Sequence, residues 1–533
     1  MGYTPHVLVV GGTPTAAGLA RDLALRGLEV TLVTRGTLAD APGGALLDSG
    51  ARLAATDPER AATLHEESNT LREIAGHSVE DTGGLILAPD DGTTLEEVRE
   101  GCLSADVPVE PLDGPTVRER EPGIGPETGG ALAVPDARTD PLRLAVATVE
   151  DAKTYGATVE TRTEISGVFV DDGALTHATL RDRGAARGDM RRFDYVVDAS
   201  GPRAGRIATL ADLDCPVETE TRPALVANAR LTERVLTRPG QEPRLVPVDG
   251  RCVVTGSPYN PTESSGGVDG SDAGGVSPGA VDDLLDAAAA LVPAIGTARV
   301  LRGWPARRAV PRRTADAHPG FRVVDHEARD GLWGLSTVAG ATLTTHRLAA
   351  ERVADQVCAK FGIARECLTA THPLPDVTRE GAALAREHGV DPNPVVCPCE
   401  SVTRAEIRGA VQRAGEKMTD VDAIRVRTGA GMGECQGGQC GHCLAAELHP
   451  ARDPGAVEEA LVPFLDGRWA GQRHALWGDQ LAAAARTYRL HAGTLGLGPE
   501  RESGTVDIDL DAFEGGNGEP TDDGPAGPRG PIP

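Results

Sequence analysis

The sequence predicts an α/β protein in which a Rossmann-type domain is followed by a small, mainly α-helical domain. Two observations support this prediction. The first is a strand–turn–helix–strand order within the first 34 residues. The second is a group of five cysteines, half of the ten in the chain, between positions 397 and 443. A length of 533 residues is enough for at least two domains with their own cores.

The amino-terminal stretch has the pattern of a dinucleotide-binding fold. Residues 6–10 form an apolar strand, residues 16–26 have helical periodicity, and residues 29–33 form a second strand. In this arrangement the turn amides and the helix N-terminus bind a pyrophosphate. The fingerprint positions of the turn are Gly11, Thr13 and Ala16. Because Thr13 places a side chain where phosphate approaches, a purely structural strand–turn–helix is the alternative.

Two more turns of small residues follow apolar strands. Residues 193–201 read F-D-Y-V-V-D-A-S-G and end at Gly201, a turn similar to that of flavoproteins of the D-amino-acid-oxidase type. Residues 332–347 contain a second such strand, a turn at Gly340 and the start of a helix. A small-residue turn that leads into a helix can seat a flavin. The acidic residue expected at the end of the second strand of the chain, which binds a ribose, is Thr34 here.

The cysteine-rich stretch predicts a metal centre. Cys397 and Cys399 lie in the sequence C-P-C-E, and the other three cysteines lie in a glycine-rich loop. Thr403 and Glu406 form a capping box, so the first pair precedes a helix. Glycines let the backbone fold closely around a bulky group, and a helix N-terminus favours negative charge. The spacing alone allows either tetrahedral zinc or an iron–sulfur cluster.

This stretch resembles the bacterioferritin-associated-ferredoxin-like (BFD-like) [2Fe–2S] domain, whose pattern is C-x-C followed by C-Q-G-x-x-C. The resemblance implies a [2Fe–2S] cluster in preference to zinc. The ligands that it implies are Cys397, Cys399, Cys435 and Cys440. Cys443 follows Cys440 by three residues and is the alternative fourth ligand.

Over residues 5–495 the chain resembles the FAD-dependent glycerol-3-phosphate dehydrogenase family, in particular the large subunit of the anaerobic, quinone-linked enzyme. The matching runs are L-L-D-S-G-A-R at 46–52, E-D-T-G-G-L at 80–85, D-P-L-R-L at 140–144, T-T-H-R at 344–347 and R-W-A-G-Q-R at 468–473. The resemblance implies a D-amino-acid-oxidase-like FAD domain. The cofactor-binding positions that it implies are Gly11, Gly12, Thr13, Thr34, Gly201 and Gly340. It also implies that Arg52 and Arg307 bind the substrate phosphate, for which paired guanidinium groups are suited.

Several positions depart from the family pattern. Thr13 and Thr34 replace a glycine and an acidic residue, Asp48 replaces a histidine, and Thr342 replaces a lysine. The general base is not assigned, and its candidates are His65, His77 and His346. These departures leave two alternatives open. One is a related flavin oxidoreductase that acts on another small hydroxy or amino acid, and the other is a non-catalytic electron-transfer or scaffold subunit.

The family resemblance implies that the chain oxidises sn-glycerol 3-phosphate to dihydroxyacetone phosphate with FAD, and that electrons pass through the [2Fe–2S] cluster to quinone. It implies two partners, which are an iron–sulfur subunit that anchors the complex to the membrane and a second flavoprotein subunit. A net charge of −26 argues against nucleic acid as a partner. High acidic content, with lysine only at positions 153, 360 and 417, is typical of adaptation to high salt.

The remaining cysteines are scattered, and the sequence has neither a signal peptide nor an apolar run long enough to span a bilayer. We therefore predict a cytoplasmic protein that contacts the inner face of the plasma membrane only through a partner. The predicted segments are an FAD-dependent oxidoreductase domain (1–372), a linker (373–394), a [2Fe–2S] domain (395–448), a C-terminal helical segment (449–498) and a disordered tail (499–533).

Overall fold

The structure is a computed structural model that describes residues 3–38, 45–88, 95–182, 187–239, 241–259, 275–312, 320–377, 394–414, 420–448 and 454–494. The predicted tail and most of the predicted linker lie outside the described residues.

In chain order the strands are β1 (His6–Val10), β2 (Glu29–Val33), β3 (Leu46–Leu47), β4 (Val79–Glu80), β5 (Gly84–Leu87), β6 (Glu110–Asp113), β7 (Gly130–Val134), β8 (Ala137–Thr139), β9 (Thr158–Glu160), β10 (Thr163–Asp171), β11 (Ala174–Asp182), β12 (Asp189–Arg192), β13 (Tyr195–Asp198), β14 (Val217–Ala227), β15 (Val235–Arg238), β16 (Gln241–Val248), β17 (Arg251–Thr255), β18 (Val300–Pro311), β19 (Arg322–Asp325), β20 (Leu335–Ala339), β21 (Val395–Cys397) and β22 (Val402–Thr403). The helices are α1 (Pro14–Leu25), α2 (Pro58–Ile74), α3 (Leu95–Ser104), α4 (Gly114–Arg120), α5 (Pro141–Thr154), α6 (Arg206–Leu210), α7 (Pro278–Ala289), α8 (His326–Asp330), α9 (His346–Lys360), α10 (Arg404–Ala414), α11 (Val421–Thr428), α12 (Gly441–Glu447), α13 (Pro454–Gln472) and α14 (Gly478–Arg489).

The first domain is built on a six-stranded sheet in the order β19-β20-β13-β1-β2-β9. All neighbouring strands are parallel except β19, which runs antiparallel to β20. The central strands are largely buried because helices cover the sheet, and α1, α5 and α9 share one core with it. The predicted Rossmann-type fold is therefore confirmed.

Helix α1 begins two residues earlier than the sequence predicts. Thr13 is its N-cap and accepts a hydrogen bond from the Ala16 N–H, and Pro14 takes the first helical position. Proline is favoured there because the N–H that it lacks has no partner within the helix.

A second sheet of eight strands, in the order β18-β14-β17-β16-β15-β5-β7-β6, lies beside the first. Its strands pair antiparallel except β5 and β15, which are parallel. Helix α7 covers it, and its core also includes Leu476 and Ala484 from the region of α14. Three smaller sheets have the orders β10-β11-β12, β3-β8-β4 and β21-β22.

The cysteine-rich domain has a compact core of its own. Ile407 of α10, Ile424 of α11, Leu444 of α12 and Phe464 of α13 meet there. The predicted capping box is present: the Glu406 N–H donates to the Thr403 hydroxyl, and the Thr403 N–H donates to the Glu406 carboxylate. Among the helices that the structure describes, none has the length and apolarity needed to cross a bilayer.

Candidate functional site

A cavity of about 490 Å³ lies between the loop that follows β3, helix α2, the turn before α9 and the eight-stranded sheet. The described residues that line it are mostly charged. They are Asp48, Arg52, Leu53, Arg60, Leu64, Arg222, Glu242, Arg244, Ser257, Pro258, Arg308 and Thr342.

Three arginines on β14, β16 and β18 share two glutamates at this cavity. Arg222 donates to Glu220 (2.7 Å) and to Glu242 (2.7 Å). Arg244 donates to Glu242 (2.8 Å), and Arg308 donates to Glu220 (3.0 Å). Because three cations share two anions, this wall of the cavity has an excess of positive charge.

Arg52 adds a further positive charge. It lies in the helical turn Ala51–Leu53, and its Nε is buried without a hydrogen-bond partner among the described residues, as is the Nε of Arg244. Burial, together with the nearby charge of Arg244, lowers the pKa of Arg52. Arginine stays protonated in proteins, so unpaired guanidinium donors of this kind favour an anionic ligand.

The sequence assigned the second phosphate contact to Arg307, but the described lining contains Arg308 instead. In the β14–β18 pairing Arg307 lies opposite Thr221, and Arg308 lies opposite Glu220. Because consecutive strand residues point to opposite faces, only one of the two arginines can face the cavity. Arg308 is therefore a second candidate for this contact, beside the predicted Arg307. The W-P-A-R-R sequence contains both residues and does not indicate which one faces inward.

The three candidate histidines do not belong to the described lining of this cavity. His346 is buried at the start of α9, where its Nδ1 is 2.7 Å from the Leu343 carbonyl oxygen, and burial lowers its pKa to about 4. It borders a separate void of about 10 Å³. Burial also lowers the pKa of His65 and of His77. The proton acceptors in the described lining are two carboxylates, Asp48 and Glu242.

Asp48 is held in place through its backbone. Its N–H donates to the Thr344 hydroxyl (2.9 Å), and its Oδ1 accepts the Gly50 N–H (2.8 Å). The neighbouring Ser49 donates its hydroxyl (2.6 Å) and its N–H (2.8 Å) to the buried carboxylate of Asp136. Burial and the charge of Asp48 raise the pKa of Asp136 to about 6. Asp48 Oδ2 accepts no hydrogen bond from the described residues, which leaves it available to a ligand.

The predicted dinucleotide turns meet at one edge of the six-stranded sheet. Gly11, Gly201 and Gly340 follow β1, β13 and β20, three adjacent parallel strands that end on the same side. Gly11 has φ of 142°, and a Cβ there would lie 2.3 Å from the Ala199 carbonyl oxygen, so only glycine fits. Ligands of open α/β sheets bind in the crevice at this edge, so the turns fit the dinucleotide part of FAD.

Thr13 and Thr34 change the donor set of this crevice. The Thr13 hydroxyl accepts the Ala16 N–H (3.2 Å) and donates to the Ala199 carbonyl (3.0 Å). Its methyl group lies 2.7 Å from where a Cβ on Gly201 would be. The Thr34 hydroxyl is buried and turned towards the Thr37 carbonyl (3.5 Å). The start of α1 therefore offers fewer free amides to a phosphate than an uncapped helix would.

The four predicted cluster ligands lie together. Cys440 hydrogen-bonds to Cys397, which lowers the pKa of Cys397, and Cys399 interacts with Cys435. The Gly431 N–H also donates to the Cys397 sulfur (3.4 Å). These two pairs of thiols suit a two-iron cluster with four cysteine ligands.

Cys440 caps α12 and Cys443 lies one turn into that helix, where it has no part in the described thiol contacts. A Cβ at Gly433 would lie 2.2 Å from the Cys399 Cβ, so this loop closes directly over that ligand. The described residues contain no group of three or more His, Cys, Asp or Glu side chains arranged around a single metal ion.

Comparisons with known proteins agree with both parts of this arrangement. Residues 6–356 match the FAD dependent oxidoreductase family, and residues 395–447 match the BFD-like [2Fe-2S] binding domain. The chain is 36% identical to the A1 subunit of anaerobic glycerol-3-phosphate dehydrogenase of Haloferax volcanii, over 97% of this chain and 95% of that protein. It is 33% identical to the corresponding protein of Escherichia coli K12, over 93% of this chain and 98% of that protein.

Among solved structures, the chain resembles the glycerol-3-phosphate dehydrogenase from Bacillus halodurans complexed with FAD, with a TM-score of 0.57 and 18% identity. The match covers 93% of this chain and 95% of that structure. At this level of identity the likeness shows the fold.

Proposed function

Because the chain belongs to the family of FAD-dependent oxidoreductases that contains these anaerobic glycerol-3-phosphate dehydrogenase subunits, we propose that it oxidises sn-glycerol 3-phosphate to dihydroxyacetone phosphate. The observation that supports this substrate most directly is the arginine-rich cavity with its unpaired Arg52. When bound, FAD supplies a two-electron hydride acceptor, and the [2Fe–2S] cluster supplies a one-electron carrier.

In this proposal Arg52 and Arg308 bind the substrate phosphate. Arg52 has an Nε donor without a partner, whereas Arg308 uses one donor on Glu220 and keeps the others. Planar guanidinium groups can bind phosphate oxygens in pairs, so two of them would fix the phosphate at one end of the cavity. Arg222 and Arg244 would add positive charge from the neighbouring strands.

We assign the role of proton acceptor to Asp48. Glu242 also lines the cavity, but Arg222 and Arg244 both donate to its Oε1, so that oxygen is already engaged. As the secondary alcohol becomes a ketone, the hydroxyl proton passes to the Asp48 carboxylate and the hydrogen on carbon 2 leaves with its electron pair. This assignment replaces the three candidate histidines and uses the residue that stands where the family has a histidine.

Gly11, Gly12, Gly201 and Gly340 would bind FAD, with Thr13 and Thr34 at positions where the family has stronger contacts. The cavity argues against the non-catalytic alternative. A scaffold subunit gains nothing from a buried Arg52 Nε that has no hydrogen-bond partner, because a buried polar group without a partner is costly.

The family relationship also supports partner subunits, since the relatives are themselves named as single subunits of an enzyme. We propose that electrons leave through the cluster to a second flavoprotein subunit, then to an iron–sulfur membrane-anchor subunit, and finally reach quinone. The chain would then lie on the inner face of the plasma membrane through these partners.

The test is anaerobic reduction of the purified holoprotein, with its FAD content measured first. Addition of sn-glycerol 3-phosphate should bleach the flavin absorption and yield dihydroxyacetone phosphate, whereas glycerol and glycine should not. Bleaching by glycine alone would favour the related-oxidoreductase alternative. A protein that takes up no FAD would be the scaffold subunit.

The variants Asp48→Asn and Glu242→Gln show which of the two carboxylates accepts the hydroxyl proton. The first variant should bind the substrate and bleach slowly, with acetate partly restoring the rate. The second should bleach at a rate closer to that of the unchanged protein. The opposite order would assign the proton to Glu242.

A further inference from the structure

We propose that Arg468 supplies a counter-charge to the [2Fe–2S] cluster and thereby raises the reduction potential of that cluster. This inference rests on the cluster domain and does not depend on the identity of the oxidised substrate.

Arg468 lies on α13 directly over the cysteine loop. Its side chain is 7% exposed, and its Nη2 donates to the carbonyl oxygen of Cys435 at 3.3 Å. The same nitrogen lies 3.2 Å from where a Cβ on Gly438 would be, so the guanidinium contacts the loop between Cys435 and Cys440. Its Nε is buried without a hydrogen-bond partner among the described residues.

No carboxylate of the described residues forms an ion pair with Arg468. A buried guanidinium without an anion is costly, because the protein interior does not replace the water that solvated it. In the described structure the guanidinium instead faces the loop that carries Cys435, whose carbonyl oxygen accepts its hydrogen bond. The thiolate-bound cluster is therefore the anion that compensates Arg468.

The effect on the potential follows from the charge of the cluster. A two-iron cluster with four thiolates is anionic when oxidised and gains one more negative charge when it takes up an electron. A fixed cation at the loop stabilises the reduced cluster more than the oxidised one, and burial weakens the screening of that interaction. Arg468 should therefore make the cluster a better electron acceptor.

Two other arginines near the loop contribute less. The Arg425 side chain lies 3.8 Å from where a Cβ on Gly431 would be, but its guanidinium is paired with Asp422 at 2.9 Å. Arg302 on β18 lies near Arg425, and burial together with the Arg425 charge lowers its pKa to about 10. The Arg302 Nε is likewise buried without a hydrogen-bond partner among the described residues, but it lies against Gly471 of α13, so Arg468 is the arginine of this group whose guanidinium donates to the cysteine loop.

The packing of α13 fixes the position of Arg468. Three residues further along the helix, a Cβ on Gly471 would lie 3.2 Å from the Arg302 Nε, so α13 and β18 are in close contact. The next residue, Gln472, donates to the Leu301 carbonyl at 3.5 Å. One turn of helix thus contacts both the cluster loop and the strand that carries Arg308.

The experiment is a reductive titration of the anaerobically purified full chain, followed by the electron paramagnetic resonance signal of the reduced cluster. The variants are Arg468→Gln, which removes the charge, and Arg468→Lys, which keeps it. Arg473→Gln is the matched control, because it removes the same charge from an exposed position just beyond α13. Iron content is measured for each protein.

We expect Arg468→Gln to lower the ratio of reduced to oxidised cluster at a fixed potential about tenfold, which is 59 mV for one electron. Arg468→Lys and Arg473→Gln should each change that ratio by less than about threefold, which is a shift in reduction potential of less than about half of 59 mV. Full iron content with an unchanged potential in Arg468→Gln would overturn the proposal. Loss of iron in Arg468→Gln but not in Arg468→Lys would support the proposal, because the glutamine removes the positive charge beside the cluster and the lysine keeps it. Loss of iron in both would assign Arg468 to packing and overturn it.

Discussion

The proposal that Arg308, and not Arg307, binds the substrate phosphate can be tested by substituting each of these two neighbouring residues in turn. Arg308 lines the cavity and Arg307 is absent from its described lining, although the two follow each other on β18. Arg308→Gln and Arg307→Gln remove the same charge from the same strand, so each is the control for the other.

The structure sets the expected size of the effect. Loss of a charge-assisted hydrogen bond to phosphate costs about 1.5–3 kcal/mol, or about 10- to 150-fold in kcat/KM. The Glu220 carboxylate that Arg308 leaves behind keeps Arg222 as a partner at 2.7 Å, so the fold should tolerate the change. Arg307→Gln should change kcat/KM by less than about threefold, equivalent to ~0.6 kcal/mol.

The assay is steady-state oxidation of sn-glycerol 3-phosphate with an artificial electron acceptor, alongside inhibition by inorganic phosphate. Arg308→Gln should weaken inhibition by phosphate as well as the use of the substrate, because both depend on the same oxyanion contacts. An equal loss in the two variants, or a larger loss in Arg307→Gln, would refute the strand register on which the assignment rests.

Three further predictions concern the cofactor turn, the cluster and the buried carboxylate. Thr13→Gly frees the Ala16 N–H and removes the methyl group against Gly201, so titration of the apoprotein should show FAD binding tighter by about 1–3 kcal/mol; unchanged binding would place the pyrophosphate elsewhere. Cys440→Ser should abolish the visible absorption of the cluster and Cys443→Ser should retain it, whereas the reverse would reassign the fourth ligand. Folding raises the Asp136 pKa to about 6, so the stability that its proton provides is fully present below the unfolded value of 3.8 and is lost as the pH rises through 6. Asp136→Asn should accordingly raise the free energy of unfolding in urea by up to about 3 kcal/mol at pH 8 and by little at pH 4; an equal effect at both pH values would show that its ionisation is not the cause.

Local patterns were enough to predict the parts of the molecule that neighbouring residues determine. The Gly11 turn and the capping box at Thr403 depend on short-range spacing, and the structure contains both. Even there, Thr13 shows that a single residue can act as a helix cap where the fingerprint expects a phosphate contact.

The cavity could not be predicted in the same way. Arg222 and Arg244 reach it from strands whose pairing joins distant parts of the chain, and β5 pairs with β15 across about 150 residues. The propensity of a strand depends on the neighbours that it packs against, and a shift of one residue in the pairing moves a side chain to the other face. This is why the sequence could place an arginine of β18 at the site but could not decide between Arg307 and Arg308.

The route of the chain after the cysteine loop constrains how electrons can leave. The backbone passes through α13, in contact with β18, and then through α14, whose Ala484 belongs to the same core as Leu85 and Leu225 of the eight-stranded sheet. The cysteine domain is therefore inserted between parts of the oxidoreductase domain and is not tethered beyond it. A domain that moves between an electron donor and an electron acceptor needs one mobile end. The C-terminal end of the cysteine domain is instead fixed, because the helices that follow it pack in the core of the oxidoreductase domain. A partner that takes its electrons has to come to the cluster, and truncation after Leu448 would also remove side chains from the substrate-binding half of the molecule.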